Sequence, residues 1–180
     1  MKKLLFLLTA LAVFGSAATA GATAMLDQGT SELGIGGWLD FASPDGTETS
    51  LDLRYSYFLI DRLSLGGLFD TRLSRHSKFF SIGPVVEYNF KLPEGQRAAI
   101  GTDLVPYVAG SILFAYSKVY DFKEHAFVFQ AEGGLKFFLT DTAAVALGLI
   151  GSLATDKVYA DDDKAVKWNV ALDLGMRLYF

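Results

Sequence analysis

The sequence predicts an all-β chain, a transmembrane antiparallel up-and-down β-barrel of eight strands. Three observations carry that prediction. The first is the C-terminal segment: Val170, Leu172, Leu174, Met176, Leu178 and Phe180 alternate with Ala171, Asp173, Gly175, Arg177 and Tyr179. A period of two puts the first set on one face of a strand and the second on the other. The second is composition: 51% of the 180 residues are hydrophobic, yet no apolar run reaches the roughly 18–20 residues that a membrane-crossing helix needs. Interleaved apolar residues suit strands, which cross in about 9–11. The third is repetition of the same alternation in eight segments separated by turn residues.

The first segment runs from about Glu32 to Phe41, with Leu33, Ile35, Leu39 and Phe41 on one face and Glu32, Gly34, Gly36 and Asp40 on the other; Ser43-Pro44-Asp45-Gly46 turns the chain. Trp38 falls on the polar face, where it is either a lumen plug or the mark of a bulge that reverses the register. The second, Ser50 to Ile60, sets Leu51, Leu53, Tyr55, Tyr57 and Leu59 against Asp52, Arg54 and Ser56, and Asp61-Arg62 is a tight turn. The third, Leu63 to Leu73, sets Leu63, Leu65 and Phe69 against Ser64, Gly66, Asp70 and Arg72, before the polar loop Ser74-Arg75-His76-Ser77.

The fourth, Phe79 to Phe90, carries Phe80, Ile82, Pro84, Val86, Tyr88 and Phe90 opposite Ser81, Gly83, Glu87 and Asn89; Lys91 to Ala98 connects it onward. The fifth, Leu104 to Ala115, is the least regular: Pro106, Val108, Ile112 and Phe114 share the apolar face, so Val105, Tyr107 and Leu113 join the other. The sixth, Ala126 to Leu139, sets Phe127, Phe129, Ala131, Leu135, Phe137 and Leu139 against Gln130, Glu132, Gly134 and Lys136, and Thr140-Asp141-Thr142 turns. The seventh, Ala143 to Leu153, places Val145, Leu147, Leu149 and Leu153 over Ala144, Ala146, Gly148 and Ser152; a loop from Thr155 to Ala165 holds Asp161-Asp162-Asp163. The eighth is the terminal strand, from about Val166.

A soluble barrel alternates too, with its apolar face inward. Here the apolar face is nearly unbroken in the second, sixth and eighth segments, and the opposite face is rich in Gly, Ala and Ser. Tyr55, Tyr57, Tyr88, Phe90, Phe127, Phe129, Phe137 and Trp168 gather toward strand ends on the apolar face, as interfacial girdles do. The apolar face is therefore expected to meet lipid. Hydrocarbon tolerates no open strand edge, so eight strands must close, and a cylinder of that size is just wide enough to be filled by side chains. Its expected contents are a lumen charge network: Glu32, Asp40, Asp52, Asp70, Glu87, Glu132 and Asp173 against Arg54, Arg72, Lys136 and Arg177.

The N-terminus reads as a secretory signal peptide over residues 1–20, with cleavage as late as 24, so that 21–180 form the barrel domain. Lys2 and Lys3 precede the apolar run Leu4 to Phe14, and Ala18-Thr19-Ala20 and Ala22-Thr23-Ala24 offer small-residue cleavage sites. Loss of that leader makes the chain more acidic than its formal charge of −4, which argues against a nucleic-acid partner. No Cys is present, which excludes disulfides and a lipid-modified N-terminal cysteine.

Tyr57-Phe58-Leu59-Ile60-Asp61-Arg62-Leu63-Ser64-Leu65-Gly66, Ile82-Gly83-Pro84-Val85-Val86-Glu87-Tyr88, Val105-Pro106-Tyr107-Val108 and Gly175-Met176-Arg177-Leu178-Tyr179-Phe180 together resemble the small outer-membrane β-barrel family, of the opacity-like and outer membrane protein A, X and W types. The resemblance implies a barrel in a Gram-negative-type outer membrane, lipid and lipopolysaccharide as surroundings, and recognition of the terminal Tyr179 and Phe180 by the barrel-assembly machinery. An even strand count puts both mature termini on the periplasmic side, with four external loops opposite. Family members serve as structural proteins, adhesins, surface-defence proteins or narrow conduits, and the scaffold does not choose among these.

Some small outer-membrane barrels modify lipids. Lipid A deacylases carry a His and a Ser two apart on one strand face; here Phe127 stands two after His125, and Ser77 is adjacent to His76. A nucleophile–base–acid set is therefore missing from the pattern, and no enzyme, cofactor or metal site is expected. Asp161-Asp162-Asp163 has hard oxygen ligands but neither the Gly nor the spaced acids of a calcium loop. The expected role is envelope structure or surface interaction. The alternatives are a narrow conduit for small or apolar molecules, suggested by inward Val105, Tyr107, Leu113, Phe138 and Ile150, and a lipid-modifying enzyme. Oligomeric state is not readable from the sequence.

Overall fold

The structure is a computed structural model that describes residues 24–43, 46–73, 77–92, 103–119, 122–161 and 164–180. The predicted leader before Ala24, His76 and the pair Asp162-Asp163 lie outside the described residues. Alternation produces the barrel directly: β1 (Ser31–Ser43), β2 (Gly46–Ile60), β3 (Leu63–Leu73), β4 (Ser77–Asn89), β5 (Asp103–Val119), β6 (Phe122–Thr140), β7 (Ala143–Ala154) and β10 (Trp168–Tyr179). They close in the order β1-β10-β7-β6-β5-β4-β3-β2, all antiparallel. Both ends of the described chain meet at one rim, where Ser31 and Phe180 exchange backbone hydrogen bonds of 2.8 and 3.0 Å. This terminal rim also carries the turn Asp61-Arg62, with Arg62 at φ 69°, and the turn at 141–142.

The register agrees with the predicted faces. Leu172 is 75% exposed, Leu153 65% and Ile82 60%, whereas Arg54, Lys136 and Arg177 are buried inside. Trp38 pairs with Ser50 in β1–β2, and the register slips only between Asp40 and Ser43. The bulge therefore lies beyond Trp38 and does not reverse the phase there. Pro84 interrupts the β4–β5 ladder, which passes from Ile82↔Phe114 to Val85↔Ser111. Its ring sits outward, and it has no N–H to leave unpaired.

Several elements differ from the expected outline. β2 starts at Gly46, inside the expected turn, rather than near Ser50. β5 and β6 continue past Ala115 and Ala126 to Val119 and Phe122. The apolar alternation fades there because the strands leave the apolar belt. The segment predicted as a loop after the seventh strand contains a small hairpin, β8 (Tyr159–Asp161) with β9 (Lys164–Val166), so the terminal strand starts at Trp168.

Candidate functional site: the filled lumen

The lumen is filled in three layers. At the terminal rim the segment before β1 folds inward as a cork. Leu26 is 2% exposed and packs with Phe58, Val105, Phe138, Ala144 and Tyr179. Backbone bonds fix it: Arg62 N donates to Leu26 O at 2.7 Å and Gly29 N to Phe58 O at 3.0 Å. Gly29 reaches this place at φ 94°, a conformation that suits glycine.

Above the cork lies a charged layer. Lys136 Nζ donates to Glu32 Oε2 at 2.7 Å and also to Glu87. Arg54 uses its fork: Nη1 reaches Glu87 Oε2 at 2.7 Å and Nη2 reaches Glu132 Oε2 at 2.5 Å. The Tyr107 hydroxyl donates to Glu132, and Asn89 Nδ2 donates to Glu87 Oε1 at 3.0 Å. Arg177 Nε lies 3.5 Å from Glu32 Oε1, and its Nη2 lies 3.5 Å from Asp173 Oδ2. Glu32, Glu87 and Glu132 thus balance Arg54, Lys136 and Arg177. Desolvating an ion costs several kcal/mol, and in this buried layer each charge faces an opposite one. The rings of Tyr107 and Tyr179 lie 5.3 and 5.5 Å from Lys136 Nζ, close enough for cation–π attraction. Small residues make the room: a Cβ on Gly34 would run into the Arg177 guanidinium, and one on Gly148 would meet Tyr107 and Glu132.

Toward the loop rim the lumen holds a cavity of about 60 Å³, lined in part by Asp52, Arg54, Asp70, Arg72, Ile150 and Asp173. Arg72 pairs with Asp70 at 3.4 Å, and Asp52 lies against Gly36. A lid covers the β3–β6 side of the top. Val158 and Tyr159, at the start of the small hairpin, pack with Leu68, Phe79, Val85, Leu113 and Val128. Tyr159 and Phe79 have ring centroids 5.9 Å apart, and burial raises the pKa of the Tyr159 hydroxyl above its ordinary value.

Of the predicted lumen residues, Glu32, Arg54, Glu87, Glu132, Lys136, Asp173 and Arg177 are joined in one network, Asp70 and Arg72 pair above it, and Asp52 lines the cavity. Asp40 takes its register place opposite Glu48, nearer the loop rim. The terminal pair divides: Tyr179 points inward and is buried, while Phe180 is 65% exposed at the rim. The cork and the lid carry no alternation and were invisible to a period-two reading. Tyr107 was placed inside by its register, but its bond to Glu132 was not foreseeable.

Described residues on the outward face of the barrel strands are apolar or uncharged except at the loop rim, where Lys78, Lys118 and Lys123 stand. A charged interior inside an apolar wall, closed on itself, defines the fold of the small eight-stranded outer-membrane barrels. Two solved structures share it. The N-terminal β-barrel domain of Pseudomonas aeruginosa OprF matches with a TM-score of 0.59 at 17% identity, covering 85% of this chain and 98% of that one. Neisserial surface protein A (NspA) matches with a TM-score of 0.57 at 13% identity, covering 84% and 95%. No family model matches the sequence, and no curated protein does.

Proposed function

We propose that this chain is an integral outer-membrane barrel with a sealed lumen, acting in envelope structure or surface contact and not as an enzyme or a pore. The observation that carries the reading is the inversion of polarity between wall and interior. A water-soluble barrel would forfeit about 1.5–3 kcal/mol for each large apolar side chain left in solvent, and apolar patches beyond a few hundred Å² are rare on soluble monomers. In acyl chains the same wall is at home. Cork and ion layer oppose a conduit, since a solute crossing from rim to rim would have to displace both.

Both termini are assigned to the periplasm, because an even strand count brings them to one rim, opposite the rim that carries the lid hairpin and the outward lysines. Phe180, free at that rim, is the feature available to the barrel-assembly machinery. Chemistry is disfavoured by the placement of His125, which stacks on Phe114 at 5.7 Å on the outer face.

Refolding into phosphatidylcholine vesicles followed by planar-bilayer recording tests the proposal. Insertion, with faster electrophoretic migration unless heated, and no steady conductance are expected. A large constant conductance or solute-driven vesicle swelling overturns the sealed lumen, and failure to insert overturns the membrane reading. Lipid A mass spectra that change with the gene would overturn the non-enzymatic role.

A further inference from the structure

The three outward lysines are not scattered. Lys78 pairs with Lys118 across β4–β5, and Lys118 pairs with Lys123 across β5–β6. They form one row over three adjacent strands, at the loop rim. Neighbouring strands lie about 4.8 Å apart, so the row spans roughly 10 Å. Like charges directly opposite each other destabilise a sheet, and none of the three has a carboxylate partner among the described residues.

The rows beneath supply the other half of the argument. Next toward the terminal rim come Phe80, Tyr116 and His125 in register, then Ile82, Phe114 and Phe127. Tyr116 and His125 have ring centroids 5.1 Å apart, and Phe114 meets Phe127 edge-on at 5.9 Å. The surface therefore runs from cationic to aromatic to aliphatic within a few residues of strand rise. A phosphorylated lipid has the same sequence of chemistry: phosphate, interfacial backbone, acyl chain. Lysine stems can lie along such a wall and hold their ammonium groups at headgroup height.

We propose that the Lys78–Lys118–Lys123 row, with the aromatic shelf of Phe80, Tyr116, His125, Phe114 and Phe127 below it, binds the phosphate group of a phosphorylated lipid in the leaflet at the loop rim. The proposal rests on the membrane reading above and gives it a named lipid contact. An anion between the lysines removes the repulsion that the register creates. The shelf orients the acyl chains along β4–β6.

The test uses the refolded protein in zwitterionic detergent, titrated with lipid A carrying two phosphates and with the same lipid stripped of both. Native mass spectrometry counts the bound lipid. The phosphorylated form is expected to bind about 100-fold more tightly, at roughly fivefold for each lysine. The triple variant Lys78→Gln, Lys118→Gln, Lys123→Gln should bind both lipids alike while keeping its heat-dependent mobility; the matching Lys→Arg triple should retain the preference. Should the triple glutamine variant not fold, Lys118→Gln alone, at the centre of the row, should cost about fivefold. Equal binding of the two lipids by the unaltered protein, or an undiminished preference in the folded glutamine variant, overturns the site. Insertion of the unaltered protein into phosphatidylcholine vesicles is read separately, so a failed membrane reading is not confused with a failed lipid site.

Discussion

Two seams of the same barrel are built very differently. β5 and β6, joined by a short connection, pair without a slip from Asp103↔Phe138 at one rim to Val119↔Phe122 at the other. β1 and β10, the two ends of the sheet, pair only from Glu32↔Tyr179 to Gly36↔Gly175. Beyond that point an outer cleft of about 480 Å³ opens, lined by residues such as Ile35, Gly37, Ser50, Leu174 and Met176. Gly37, at φ 145°, turns β1 against β2, where a Cβ would strike the Ser50 backbone. A local hairpin closes a short loop at small entropic cost, whereas the closing seam must bring together residues from opposite ends of the sheet. The comparison teaches that closure depends less on backbone pairing than on what lies inside. Glu32 on β1 and Arg177 on β10 are diagonal neighbours that pair across the seam on its inner face, and Lys136 on β6 ties Glu32 to a strand beyond the seam.

The sharpest way to break that arrangement is Lys136→Met. The change leaves Glu32 and Glu87 without their shared cation, inside a layer buried from bulk solvent. Removing one partner of a buried ion set costs about 3–5 kcal/mol. The urea midpoint for loss of the folded electrophoretic form should fall accordingly, and it should fall further than for Glu132→Gln, which leaves Arg54 still bonded to Glu87. Equal midpoints for the altered and unaltered proteins would mean that the ion layer contributes nothing to closure.

The second contrast concerns glycines. Gly34, in the closing seam, gives up its side-chain space to the Arg177 guanidinium. Gly34→Val should push Arg177 off Glu32, at about 1–3 kcal/mol for overpacking a filled interior. The loss should appear as a lower urea midpoint and slower refolding into vesicles. Gly34→Val that refolds at the unaltered rate would separate the seam from its lumen contacts.

How much of this was legible beforehand follows from which interactions leave a period in the sequence. The strand faces did: from Leu51 to Leu59 and from Val170 to Phe180 every second residue is apolar, and an apolar outer face with packed charge inside allows no drift in phase. The lumen charges came with the phase, so Arg54 or Lys136 could be assigned inside without knowing any partner. Pairing was another matter. Lys136 and Glu32 are brought together by barrel closure, which no local pattern records. The cork at Leu26 and the lid at Val158 and Tyr159 are single insertions from irregular segments, so periodicity says nothing of them. The lysine row was hidden for a related reason. Lys118 and Lys123 lie where alternation fades, and only the register of β4, β5 and β6 shows that they stand side by side.

The mildest prediction turns the seam comparison around. Gly133 lies in the middle of β6, paired with Val108 on one side and Leu149 on the other. It faces outward, and a Cβ there meets nothing within 4 Å. A glycine in a strand interior costs about 0.5–1 kcal/mol through its greater freedom when unfolded, and a β-branched residue fits a pleated apolar surface. Gly133→Val should therefore raise the urea midpoint by about that amount, opposite in sign to Gly34→Val. The two substitutions are chemically identical, and both glycines lie in strand interiors. Their difference isolates the side to which the new methyl groups point: toward the open outer face at Gly133, toward a buried guanidinium at Gly34. If both lowered stability equally, the outward face around Gly133 would have to be packed against protein, and the assignment of that face to lipid would fail with it.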